Sequence, residues 1–183
     1  MHGMIHQAAR ELCLEVVGAR GWEELLDSVG LRNDFRAAES YPDEQTFSLV
    51  AAIADKVQLS LEDTLRAFGR YWIRYADKSA HGAIMGMSGS SMAEFLGNLD
   101  QMHASIQRAM PDTTMPSFRL LDASSEALEV EYISKREGLE PFVLGLLEGL
   151  MDRFREPGMA SWRAEGERRL FSVRFAAARP DAA

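Results

Sequence analysis

Helical periodicity over roughly the first hundred residues, strand-like alternation after Pro111, and one apolar helix between two hairpins predict an α+β chain. In that architecture a helical N-terminal half packs on a C-terminal antiparallel sheet with helices.

The helices come first. Met4, Ile5, Ala8, Ala9, Leu12 and Val16 form an apolar stripe at helical spacing, stopped by Gly18. Trp22, Leu25, Leu26 and Val29 make a shorter helix that Gly30 ends. After the turn-prone "SYPDE", a third helix turns Phe47, Val50, Ala51, Ala54 and Val57 to one face. Ser60 with Asp63 resembles a capping box, where side chains satisfy the first backbone N–H groups of a helix. It opens a fourth helix expected to bury Leu61, Leu65, Phe68, Trp72 and Tyr75. The stretch "AHGAIMGMSGSS" is expected to be a loop or broken helix. Ser91 with Glu94 then opens a long helix through Phe95, Leu96, Leu99, His103 and Ile106.

The second half changes character. "SFRLLDA" and "ALEVEYISKR" alternate like paired strands around an Asp-Ala-Ser-Ser turn. Leu139, Phe142, Val143, Leu146, Leu147, Leu150, Met151 and Phe154 form an apolar helix, which Pro157-Gly158 break. "MASWRAEGERRLFSVRFA" predicts a hairpin turning at Glu165-Gly166. From Ala176 onward nothing remains to be buried, so 177–183 is expected to be a disordered tail.

Bulk composition excludes several functions. Over 183 residues, 46% hydrophobic and 26% charged side chains are ordinary for a globular protein. A net charge of -8 argues against a nucleic-acid surface, because phosphate contacts need clustered Lys and Arg. No apolar run approaches the roughly 20 residues of a membrane span, and His2, His6 and Gln7 interrupt any signal-peptide pattern. Cys13 is the only cysteine, which rules out an internal disulfide and a multi-cysteine zinc site. A cytoplasmic protein is expected.

Two features can carry chemistry. His103 follows Leu99 by four residues and Leu96 by seven, so it shares their face. Periodicity leaves it as either a core histidine with a hydrogen-bonded ring or a neutral imidazole poised to bind iron. The second feature is "EYISKREGLE", where Tyr132, Ser134 and Arg136 recur at every second residue. Such a row either faces solvent from a hairpin edge or, because Leu128 and Val130 precede it on the same strand face, continues that apolar face inward. A guanidinium with two hydroxyls suits carboxylate oxygens, and burying it without an anion costs several kcal/mol. An anionic partner is therefore expected.

"LDQMHASIQRAMPDTTMPSFR" followed by "YISKREGLEPFVLGLLEG" resembles the haem nitric oxide/oxygen binding (H-NOX) family, which includes the sensor domain of soluble guanylate cyclase. The resemblance runs through "MHGMIHQA", "GWEELL", "YPDEQTFSLVAAIADKV" and "LRAFGRYW", and is to bacterial stand-alone members. It implies one H-NOX domain over 1–176, with a helical distal subregion at 1–60, a haem-proximal α+β subregion at 61–176, and haem b between them.

By the same resemblance His103 is the protein ligand to iron, Tyr132, Ser134 and Arg136 hold the propionates, and Pro116 presses on the porphyrin. Ile5, Ala9, Trp72, Phe142 and Leu146 are the implied distal lining. Three residues before the position of Gly145, oxygen-binding members carry a tyrosine whose hydroxyl holds dioxygen. Phe142, three residues before that glycine, has no donor. Nitric oxide and carbon monoxide are therefore the expected ligands, with dioxygen excluded unless the Trp72 indole N–H reaches it. No cysteine lies near the C-terminus to build the zinc site of some relatives, and Cys13 is expected to be a small core residue.

The resemblance implies a sensor and not an enzyme. It further implies that nitric oxide would weaken the iron–His103 bond and that the released helix would signal to a separate protein. Because the sequence stops at Ala183, that partner is expected in trans, as a histidine kinase or a cyclic-di-GMP enzyme. Two other readings stand beside it: a haem peroxidase or oxygenase, which would need a distal acid–base group, and a haem-free binder of an acidic small molecule gripped by Arg136.

Overall fold

The computed structural model describes residues 1–79, 82–111 and 113–176. Among the described residues, six helices and four strands follow in the order α1 (Gly3–Ser28), α2 (Asp43–Val57), α3 (Leu61–Lys78), α4 (Gly82–Met87), α5 (Met92–Ala109), β1 (Ser117–Ala123), β2 (Ala127–Ile133), α6 (Glu140–Phe154), β3 (Gly158–Glu165) and β4 (Arg168–Phe175). The expectation of a disordered 177–183 falls outside the described residues.

Local chemistry sets the helix boundaries. Ser60 Oγ accepts the Asp63 N–H at 3.0 Å to start α3, and Ser91 Oγ accepts the Glu94 N–H at 3.2 Å to start α5. Gly18 adopts φ 72°, ψ 178°, so α1 is two helical stretches joined at a kink rather than one straight rod. The "AHGAIMGMSGSS" stretch contains the six-residue α4, with Ala80 and His81 outside the described residues.

The four strands form one antiparallel sheet in the order β1-β2-β4-β3, so the two predicted hairpins join along β2 and β4. One face of the sheet contributes Leu128, Val130, Tyr132 and Phe171 to a core shared with Phe95 of α5 and Leu147 of α6. A second core, of Ala8, Cys13, Trp22, Leu49 and Phe68, belongs to α1, α2 and α3. Cys13 is buried there, and burial pushes its thiol up to about 11.

Helices α3 and α6 join the two halves at very close range. A Cβ at Gly69 would overlap the Phe142 carbonyl, and one at Gly145 would overlap the Arg66 carbonyl. Arg70 and Asp152 pair along the outer edge of this crossing at 2.6 Å. Not every stripe residue is buried: Val16, Phe47 and Leu61 are 61%, 38% and 50% exposed. A helical stripe marks a direction and not a depth. Val16 adjoins the kink, Leu61 is the first residue of α3, and Phe47 borders a cavity.

Candidate functional site

A cavity of about 410 Å³ is lined by residues of both cores, within the roughly 300–1,000 Å³ usual for ligand and cofactor sites. Ile5, Trp72, His103, Pro116, Tyr132, Arg136, Phe142 and Leu146 all lie on its wall. Ala9 and Ser134 do not. Ala9 sits in the helical core beside a smaller cavity that it shares with Cys13 and Phe68.

His103 is half-buried on α5, and its Nδ1 lies 2.9 Å from the carbonyl oxygen of Pro116. A carbonyl only accepts, so Nδ1 carries the proton and Nε2 keeps a lone pair. Burial lowers the ring's pKa, partly opposed by the Pro116 bond, and favours the neutral form. One turn earlier, Asp100 accepts the Phe118 N–H at 2.8 Å and the Ser117 hydroxyl. This carboxylate fastens α5 to the first residues of β1 and so fixes the carbonyl that His103 addresses.

The polar row does not stay on the strand. β2 ends at Ile133, so only Tyr132 belongs to it; Ser134 and Arg136 lie in the turn beyond. Ser134 Oγ accepts the Arg136 N–H at 3.0 Å, and burial holds the nearby Tyr132 hydroxyl above its usual pKa, partly opposed by Ser134. The Arg136 bond shapes the turn.

Arg136 already has an anion. Its Nε and Nη2 donate to the two oxygens of Asp43, at 2.7 and 3.2 Å, and Nη1 donates to the Thr114 carbonyl at 3.1 Å. The expectation of an anion from outside the chain is corrected to that extent. Of the five N–H donors of a guanidinium, these bonds use three, and two remain for a further carboxylate. Burial pushes the Asp43 carboxyl up, but Arg136 and the Met1 amine outweigh it and hold it below the usual range.

The lining contributed by α1, α3 and α6 is mostly apolar. Phe142 lies against Phe68 with centroids 5.5 Å apart, and Trp72 stacks on Tyr75 at 5.8 Å. Trp72 supplies the indole N–H among the nominated residues there. Sequence reasoning passed over His2, which also lines the cavity. Its Nδ1 accepts the Met4 N–H, and its Nε2 lies 3.0 Å from Met110 Sδ.

Among the described residues no group of three or more His, Cys, Asp or Glu side chains gathers to hold a bare metal ion. The donor set is one imidazole, an apolar wall and an arginine with spare donors. It fits a flat, apolar metal complex that carries acidic side arms.

A model of the haem-NO-binding family matches residues 2–158. The chain belongs to this family. Its H-NOX fold is close to that of an H-NOX protein from S. oneidensis in the Fe(II)NO state, with a TM-score of 0.85 at 18% identity, covering 96% of this chain and 99% of that one. An oxygen-binding H-NOX domain related to soluble guanylate cyclases, solved as its oxygen complex, gives 0.80 at 23% identity, with 96% and 95% covered. Soluble guanylate cyclase gcy-35 of Caenorhabditis elegans is 27% identical over 84% of this chain and 23% of its own length. Soluble guanylate cyclase 89Db of Drosophila melanogaster is 20% identical over 91% and 25%. The chain thus spans about a quarter of the length of these relatives. Among the described residues no helix is long and apolar enough to cross a membrane.

Proposed function

We propose that this H-NOX chain is a haem b gas sensor that takes nitric oxide and carbon monoxide, excludes dioxygen, and signals to a separate protein. The observation that carries the reading is the His103 ring. Its Nδ1–H is committed to Pro116, and its Nε2 lone pair remains at the wall of an apolar cavity. A ligating histidine is typically oriented by such a bond through its other nitrogen, which also makes it a better donor.

When bound, haem would supply a ferrous iron able to take up a diatomic gas. His103 would ligate the metal, and Arg136 and Tyr132 would bind the propionates, with Ser134 holding the turn that presents them. Ile5, Trp72, Phe142 and Leu146 would keep water from the gas side. Pro116 would press on the macrocycle while its carbonyl holds the imidazole. Ala9 would act one layer behind this wall, through core packing.

The signal would leave through the contacts of α5 with the start of β1. His103, Asp100, Pro116 and Phe118 tie α5 to the start of β1, so release of the imidazole would free α5 and this segment together. A histidine kinase or a cyclic-di-GMP enzyme is the kind of partner that would detect the shift. The absorption spectrum of purified protein is the test. A strong ferrous Soret band is expected, lost or greatly weakened in His103→Ala and restored by added imidazole. An unchanged ferrous spectrum in His103→Ala refutes the ligand assignment, and a haem-free protein refutes the whole reading.

A further inference from the structure

The turn that carries Ser134 and Arg136 has no strand partner beyond Ile133, yet Arg136 must be aimed to within a fraction of an ångström to serve a carboxylate. Something has to hold its backbone. Arg169, on β4, faces Tyr132 in the sheet register. Its Nη1 lies 3.3 Å from the carbonyl oxygens of both Ser134 and Arg136. Its Nε pairs with Glu140 at 2.9 Å, and these two side chains are only 21% and 12% exposed. Glu140 is the first residue of α6, the helix that carries Phe142 and Leu146 to the cavity. One guanidinium therefore staples the turn to β4 and to the start of α6.

We propose that Arg169 is a positioning residue for the carboxylate clamp: it fixes the backbone of the Ser134–Arg136 turn so that the spare donors of Arg136 meet the ligand's acidic arms. This rests on the haem reading above. The planar fork is what the role needs. Lysine offers a compact charge that can pair with Glu140 but cannot reproduce the fork's fixed geometry toward Glu140 and two carbonyls at once. The charge of Arg169 also adds to that of Arg136 around the Tyr132 hydroxyl.

The test is a double-mutant cycle on holoprotein, reading the rate of haem loss to excess apomyoglobin. Arg169→Ala should release haem about tenfold faster, the scale of one lost charge-assisted hydrogen bond. In an Arg136→Ala background the same change should add less than about twofold, because the group being positioned is gone. Arg169→Lys should recover the thermal midpoint lost in Arg169→Ala but not the slow haem release. If Arg169→Ala fails to fold, the cycle is run with Arg169→Lys alone. Equal acceleration in both backgrounds, or recovery of both readouts by lysine, overturns the proposal and leaves the haem reading intact. An Arg136→Ala protein that keeps its haem like the parent removes the clamp itself, and the proposal with it.

Discussion

The guanidinium of Arg136 grips the carboxylate of Asp43 through two nitrogens, across 93 residues of sequence. The pair joins the start of α2 to the turn after β2, so the clamp is braced from the helical half before any ligand arrives. Arg136 keeps two donors, and the ligand's carboxylate would complete a network instead of building one.

From this follows an order of effects. Arg136→Ala should speed haem loss most, because charge-assisted bonds are roughly twice as strong as neutral ones. Tyr132→Phe should come next, since the Tyr132 ring remains to line the cavity when its hydroxyl is removed. Ser134→Ala should act least directly, by loosening the turn. Haem-transfer rates in the three variants check this, and equal rates would remove the clamp from the account.

Gas discrimination should depend on Phe142. The ferrous protein is expected to form no stable dioxygen complex in air, while nitric oxide and carbon monoxide bind. Phe142→Tyr places a donor beside Phe68 and should raise dioxygen affinity measurably. A stable oxygenated spectrum in the parent that disappears in Trp72→Phe would assign the donor to Trp72.

His6, which sits behind Thr46 of the cavity wall, predicts a pH dependence of stability. Burial first, and then the N-terminal charge, lower its pKa from 6.5 to about 4. The ring stacks on Phe35 at 4.4 Å, and its Nε2 meets the Thr46 hydroxyl at 3.2 Å. Folded His6 stays neutral where unfolded His6 takes up a proton, so this contribution is complete above pH 6.5 and falls as pH drops toward 4. The loss is on the order of 3 kcal/mol. Urea midpoints measured from pH 7 to pH 4 should decline less steeply in His6→Leu than in the parent, whatever the variant's absolute stability.

The α3–α6 crossing should resist enlargement. Gly145→Ala puts a methyl group against the Arg66 backbone, where no side chain can move aside. A loss of about 1–3 kcal/mol is expected from overpacking, visible as a lower thermal midpoint. Ala substitution at Gly86, within α4 and with nothing inside 4 Å, is the control and should be neutral or slightly stabilising.

Features encoded over a few residues were legible in the sequence: the Ser60 and Ser91 caps, both hairpins, and the inward face shared by Leu128, Val130 and Tyr132. The site's supports were not. Asp43 and Arg169 reach their partners across 93 and 33 to 35 residues, and no local spacing announces such a bond. Asp100 left a faint trace, three residues before His103 on one helix face, but its purpose depends on where β1 lies. Alternation carried the polar row past Ile133 as if the strand continued; a period of two cannot show where a ladder ends.

The oxygen that orients His103 is a main-chain atom of Pro116. Every replacement at position 116 keeps a carbonyl there, so side-chain mutagenesis deletes the wall of the cavity while leaving the ring's anchor in place. The two contributions of this residue are thus separable by design. Pro116→Ala reports on contact with the ligand, and only an ester in place of the peptide bond, or a shift of α5 along β1, reaches the imidazole.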